Sequence, residues 1–237
     1  MSESVGRIEK PAAESFKDRR KLLSVFLVFE HESAPEEYKS KCAKYWQQVS
    51  EQLGHLESRL GLIRHVYHES IDESGDAGLA KLEKMYPSSH ALAKSRCECG
   101  AVLEAFENRE LASEMSDWER FLMLGFSSSK VASLARDMFS TALQNRNRHA
   151  AGVIDSTLDQ DGLGLLFVRE GTGIQYPSDI EVFSVVPPAL DDIHRWVRDA
   201  SQRTVDSVPQ EQAVEDSPAA EADASEATDA SASEEAD

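Results

Sequence analysis

The tripeptide His-Glu-Ser occurs twice, at His31–Ser33 and at His68–Ser70, each time at the end of a run rich in β-branched and aromatic residues. The first run is LLSVFLVFE (Leu22–Glu30) and the second is LIRHVYH (Leu62–His68). Imidazole titrates near neutrality, so beside a carboxylate it can serve as a general acid–base group or bind a divalent metal. Glu30, His31, His68 and Glu69 are therefore the candidate catalytic residues, and His31, His68 and Glu69 the candidate metal ligands. The competing reading makes both triplets polar loop starts, with Ser33 capping a helix. His65 lies three residues before His68, on the opposite face of a strand, so the two cannot share a metal in regular strand geometry. It reads as a packed or rim histidine.

The remaining chemistry-bearing residues carry weaker patterns. Cys97 and Cys99, in RCECG, point in different directions on a helix, and with Cys42 as the one other cysteine they cannot complete a four-ligand site. All three read as structural. NRNRH (Asn145–His149) is the basic stretch inside the body; Arg146 and Arg148 can grip a phosphate, or lie exposed along a helix and pair with surface carboxylates. Trp118 and Trp196 sit on apolar helical faces and read as core. GLGLLFVREGTGIQYPSDIEVFSVVPP (Gly162–Pro188) holds two glycine pairs, but a dinucleotide fingerprint needs its glycines between a strand and the helix it feeds. Here Gly162 reads as a helix-ending cap, and Gly171 and Gly173 as a link between two strands. No nucleotide motif, nucleophile elbow, P-loop or HExxH is present.

The elements that must position these residues follow from periodicity. Leu22–Glu30 is a continuous apolar run, as in a strand covered on both faces. Ser33, Pro35 and Glu36 read as N-cap, early proline and capping-box partner. Tyr38, Cys42, Tyr45, Val49, Leu53, Leu56 and Leu60 then recur at steps of three and four, so a long helix runs to a cap at Gly61. With Leu62–His68 as the next strand this is a βαβ unit, whose strands are predicted to be parallel neighbours. Both HES triplets then lie at one carboxyl edge, where open α/β sheets bind ligands.

The middle third reads as helical: a short helix ending by Pro87, a second from Ser89 carrying Leu92 to Phe106, a third over Glu110–Leu124, and a fourth capped by Ser127 or Ser128 and running toward Leu158. These either cover the sheet or form a bundle beside it. Strands at Leu163–Glu170 and Asp179–Val186 are too close in sequence for a helical crossover and are expected to pair as an antiparallel hairpin or to join the sheet through a tight loop. A last amphipathic helix runs from Leu190 to about Ala200.

The expected fold is α/β: a small, mostly parallel sheet of about four strands with a βαβ start, a large helical insertion and a disordered acidic tail. The domain reading is a flexible segment over 1–20, one α/β domain over 21–201 with the insertion at 76–158, and a disordered tail over 202–237. The chain has 237 residues, 43 acidic against 25 basic, for a net charge of −18. Eleven acidic residues and no Lys or Arg fall between Val205 and Asp237, a composition that cannot bury enough apolar surface to offset ordering entropy. An acidic body argues against DNA, non-specific RNA binding and an anionic membrane surface. The opening MSESVGRIEKPAAES lacks the apolar segment of a secretory signal, and a cytoplasmic setting is expected.

The stretch Arg146–Pro188, with RNRHAAGVIDSTL, a glycine pair before an apolar strand, and YPSDIEVFSV, resembles segments of uncharacterised bacterial cytoplasmic α/β proteins with no assigned activity. The resemblance implies a fold element and a cytoplasmic setting, and transfers no catalytic residue. The function read from the sequence is a non-enzymatic binding or regulatory protein acting through protein contacts, with a protein partner or a second copy of itself. The alternative is a metal-binding protein or hydrolase-type enzyme at the carboxyl edge, with a divalent metal at His31 and His68. A third reading, a ribosome- or RNA-associated factor using Lys17–Lys21 and Arg146–Arg148, is opposed by the acidic body.

Overall fold

A computed structural model of the chain describes residues 19–31 and 33–206. In chain order the elements are β1 (Arg20–Phe26), α1 (Glu36–Leu60), β2 (Ile63–His68), α2 (Gly75–Met85), α3 (Pro87–Glu98), β3 (Val102–Leu103), α4 (Arg109–Met123), α5 (Ser129–Thr157), β4 (Leu163–Val168), β5 (Ile180–Val185) and α6 (Pro188–Asp206). The strands make one five-stranded sheet, ordered β3-β2-β4-β1-β5, and every pairing is parallel. This is the expected α/β class.

The period-two alternation of the strands divides the core into two layers. On one face, Leu23, Val25 and Leu27 meet Leu163, Leu165 and Phe167 under α1, which supplies Cys42, Tyr45, Val49 and Leu53, with α2, α3 and α6 beside it. On the other face, Leu22, Tyr67, Leu166 and Val168 are covered by Ala150, Ile154 and Leu158 at the end of α5. Each fully buried Leu, Ile or Val contributes roughly 1.5–3 kcal/mol of transfer free energy. The predicted insertion is thus partly a cover: α2, α3 and the last turns of α5 pack on the sheet, whereas the principal packing of α4 is on α5, as a helical hairpin.

Several expectations are corrected. β1 and β2 are parallel but not neighbours, because β4 lies between them. The reason is burial: all six residues of β4 are buried, and a strand apolar on both faces belongs at the centre of a sheet covered on both sides. β4 and β5 form no antiparallel hairpin, since β1 separates them. A parallel return needs no helix here; the link 169–179 can span roughly 35 Å when extended, and it crosses with Ile174 and Tyr176 packed on the α5 face. Leu103, assigned to a helix from the sequence, sits instead in the two-residue edge strand β3, hydrogen-bonded beside β2.

The caps show local differences. Ser33 does not cap α1; Pro35 occupies the N-cap position without a side-chain hydrogen bond, while Gly61 ends the helix at φ 103° with its N–H on the Glu57 carbonyl. Ser128 caps α5, which continues unbroken through Asn145–Asn147. Gly162 closes a turn after the helix, its N–H bonded to the Asp159 carbonyl. The predicted flexible segment 1–20 lies outside the described residues up to 18, and Arg20 already belongs to β1. α6 continues to Asp206, past the predicted end near Ala200; the predicted disordered tail from 207 onward lies outside the described residues. No helix among the described residues is long and apolar enough to cross a membrane.

Candidate functional site

The chain leaves β1 toward the face covered by α1 and leaves β4 toward the face covered by α5. Such a divergence opens a crevice at the carboxyl ends of the strands, the usual ligand position in open parallel sheets. Here the segments after β2, β3 and β4 are drawn together by backbone bonds. The Glu69 N–H donates to the Phe167 carbonyl at 3.0 Å, and the Phe106 and Glu107 N–H groups both donate to the Ile71 carbonyl at 2.8 Å.

Around them lies a cleft of about 670 Å³, whose wall includes Glu69, Ser70, Asp72, Lys81, Glu107, Arg109, Arg120, Arg146 and Arg169. Glu69 is 4% exposed. Its Oε2 accepts from the Arg169 backbone N–H at 3.0 Å and its Oε1 pairs with Arg169 Nε at 2.8 Å. Burial pushes the Glu69 carboxyl up from the ordinary range, against the pull of the Arg169 N–H and the Arg169 and Arg146 charges. Arg146 is buried; its Nε donates to both carboxylate oxygens of Glu107 at 3.1 Å and its Nη2 to the Glu69 carbonyl at 3.2 Å. Asp72 is paired with Lys81 and, at 2.6 Å, with Arg109. These two cations hold its carboxyl below the usual range. Arg109 opens α4, whose N-cap Asn108 accepts from the Glu110 and Leu111 N–H groups.

The four candidate catalytic residues part company here. Glu69 lines the cleft. His68 is fully buried behind it, and both ring nitrogens are engaged. The Ser70 N–H donates to Nδ1 at 3.3 Å, so Nε2 carries the proton and meets Ser89 Oγ at 3.2 Å, which donates onward to the Tyr86 carbonyl. Burial lowers its pKa to about 3, so the ring is neutral at ordinary pH. Glu30 and His31 line a separate cavity beside the cleft. The repeated triplet thus does share one sheet edge without forming one cluster. Among the described residues, no group of three or more His, Cys, Asp or Glu side chains is arranged to hold a metal ion.

No protein-family profile, curated protein or solved structure matches this chain.

Other candidates resolve individually. His65 is a rim histidine, its Nδ1 2.8 Å from Glu104. Cys42 is buried, Cys97 half-buried and Cys99 exposed, all as free thiols. Arg148 is exposed and bonded to Asn145. Within the basic cluster at Lys17–Lys21, Arg20 is held by Asp155 and Asp179 at the amino edge and Lys21 by the Arg19 carbonyl; Lys17 lies outside the described residues. Trp118 is half-buried on the hairpin, edge-to-face with Phe121, rather than in the core. Arg146, marked in the sequence as able to grip a phosphate or pair with a surface carboxylate, is buried and paired with Glu107, a residue that no sequence pattern singled out. The burial of Arg146 had a signal: it falls on the α5 stripe of Ala142 and Ala150, both buried, at helical spacing.

Proposed function

We propose that this protein binds a small anionic ligand, one bearing phosphate or carboxylate groups, in the carboxyl-edge cleft. The observation that carries the reading is an inverted charge balance. The cleft is lined by five basic side chains (Lys81, Arg109, Arg120, Arg146 and Arg169) against four acidic ones (Glu69, Asp72, Glu107 and Asp117), in a chain of net charge −18. Arg109 and Arg120 are largely exposed, and their carboxylate pairs contribute at most about 1 kcal/mol, so an incoming anion can recruit them at little cost. Arginine forks suit the planar, bidentate recognition of phosphate and carboxylate. Glu69, with its raised pKa, is the titratable group positioned to exchange a proton with such a ligand.

The test is thermal unfolding with pyrophosphate or citrate, set against NaCl of equal ionic strength. The expected result is a saturable rise in Tm, as for any ligand that binds the folded state, reduced in Arg109→Ala and Arg169→Ala. A shift that NaCl reproduces, or that both variants retain, overturns the reading.

A second reading, association through protein contacts, is supported by the α4–α5 hairpin. Met123 and Leu124 at its tip are each 77% exposed, and Leu134, Val131, Phe121 and Met138 extend the apolar surface along both helices. Singly exposed apolar residues are common, but Val131, Leu134 and Met138 recur at steps of three and four along one face of α5, and an exposed apolar face of this kind suits an interaction surface. We propose a second copy of the chain as the occupant: two such hairpins meeting across a two-fold axis complete a four-helix bundle, each burying the same face of the other. Light scattering over a concentration series is expected to show dimers that Leu134→Glu dissociates; a strict monomer at all concentrations overturns it.

A further inference from the structure

A second cavity, of about 740 Å³, adjoins the cationic cleft at the same sheet edge. Its wall is more apolar: Leu27, Val28 and Phe29 from the segment after β1, Trp46 from α1, and Met85 and Pro87 at the junction of α2 and α3 form most of it, with Glu30, His31 and Lys39 as its charged or titratable members. Phe29 and Tyr86 belong to the walls of both cavities, and their rings stand edge-to-face with centroids 6.0 Å apart. Tyr86 is amphipathic across this divide. Its hydroxyl accepts from Ser70, a residue of the cationic cleft, at 3.2 Å, while its chain neighbours Met85 and Pro87 line the apolar side. Two large apolar side chains remain open to solvent there, Phe29 at 39% and Met85 at 48% exposure.

Each compartment falls within the roughly 300–1,000 Å³ of a small-molecule site, and their chemistries are complementary rather than redundant. We propose that they are two halves of one site, and that the ligand is an aromatic ring carrying an anionic group. The anion sits among the arginines of the cleft, and the ring passes the Phe29–Tyr86 pair to lie against Trp46 and Met85. The inference rests on the anion reading of the cleft. It adds that the anion has an apolar, planar body. Tyr86 and Phe29 supply ring edges and faces at the junction, where aromatic groups prefer edge-to-face or offset contacts.

The test uses the full-length protein and two probes that differ only in charge, anilinonaphthalene sulfonate and neutral phenylnaphthylamine, with fluorescence and quenching of Trp46 as readouts. A two-part site is expected to bind the sulfonate about tenfold more tightly than the neutral probe, the scale of one charge-assisted contact. Pyrophosphate is expected to weaken the sulfonate's apparent affinity, and Met85→Glu and Arg169→Ala each to weaken it about tenfold. Trp46→Phe is expected to remove the quenching signal. If pyrophosphate stabilises the protein but the two probes bind equally, or Met85→Glu leaves sulfonate binding intact, the two-part site is overturned and the anion cleft stands. If pyrophosphate gives no stabilisation, the cleft reading fails and this inference fails with it.

Discussion

Burial moves the pKa values of the adjacent residues His68 and Glu69 in opposite directions. It disfavours the charged form of each, which lowers the histidine pKa to about 3 and raises that of the carboxyl. The consequences for stability have opposite signs. Between about pH 3 and the ordinary histidine value near 6.5, the unfolded chain binds a proton at His68 that the folded chain does not, so stability falls as pH drops through this window. For Glu69 the folded state holds the proton longer, so stability falls as pH rises just above the ordinary carboxylate range. The histidine term is separable. Between pH 7.5 and 5.5 the wild-type protein should lose about 1.4 kcal/mol more unfolding free energy than His68→Gln, since one pH unit below the unfolded pKa corresponds to about 1.4 kcal/mol. Urea titrations at the two pH values measure this, and equal losses would rule out a neutral buried His68. The His-Glu-Ser repeat singled out these two residues, but the sequence could not say that one faces a cavity and the other a serine. That distinction rests on Ser89, whose hydroxyl lies 21 positions from His68.

The elements were more legible than their partners. α1 could be read from its three–four spacing to its Gly61 cap, and β1, β2, β4 and β5 from their apolar runs, because periodicity is a local property of the chain. β3 was not legible: two residues carry no period, and Leu103 is a strand residue only because β2 offers it an edge. Gly164 shows how seating is decided by neighbours. A Cβ at this position would meet Leu22 Cδ1 at 2.9 Å and Leu158 Cδ1 and Tyr67 Cε2 at 3.2 Å, so the glycine is what lets the end of α5 approach the sheet. Gly164→Ala should destabilise the protein by about 1–3 kcal/mol, the usual range for overpacking, despite relieving the entropic cost of a strand glycine. Urea unfolding checks this, and an unchanged midpoint would mean that Leu22 and Leu158 reposition freely.

For the molecule as a whole, packing density differs between the sheet and the hairpin. β1 and β4 are paired on both sides and covered on both faces, whereas α4 has its principal packing on α5. Local opening follows buried contact, so amide hydrogen exchange should be slowest in β1 and β4 and fastest, among the described helices, in α4. Exchange of α4 as slow as that of the central strands would contradict this ranking, unless it speeds up when dimers are diluted apart. The sequence by itself determined the α/β class and the long helices, since these follow from spacings within each segment, and it placed both His-Glu-Ser triplets at the carboxyl edge of the sheet. The tertiary structure alone decided the strand order, because the centre of the sheet goes to whichever run is apolar on both faces, a competition among distant segments. It also decided the cationic cleft: Arg146 and Glu107 meet across 39 positions, and no local pattern encodes which charges folding will bring together.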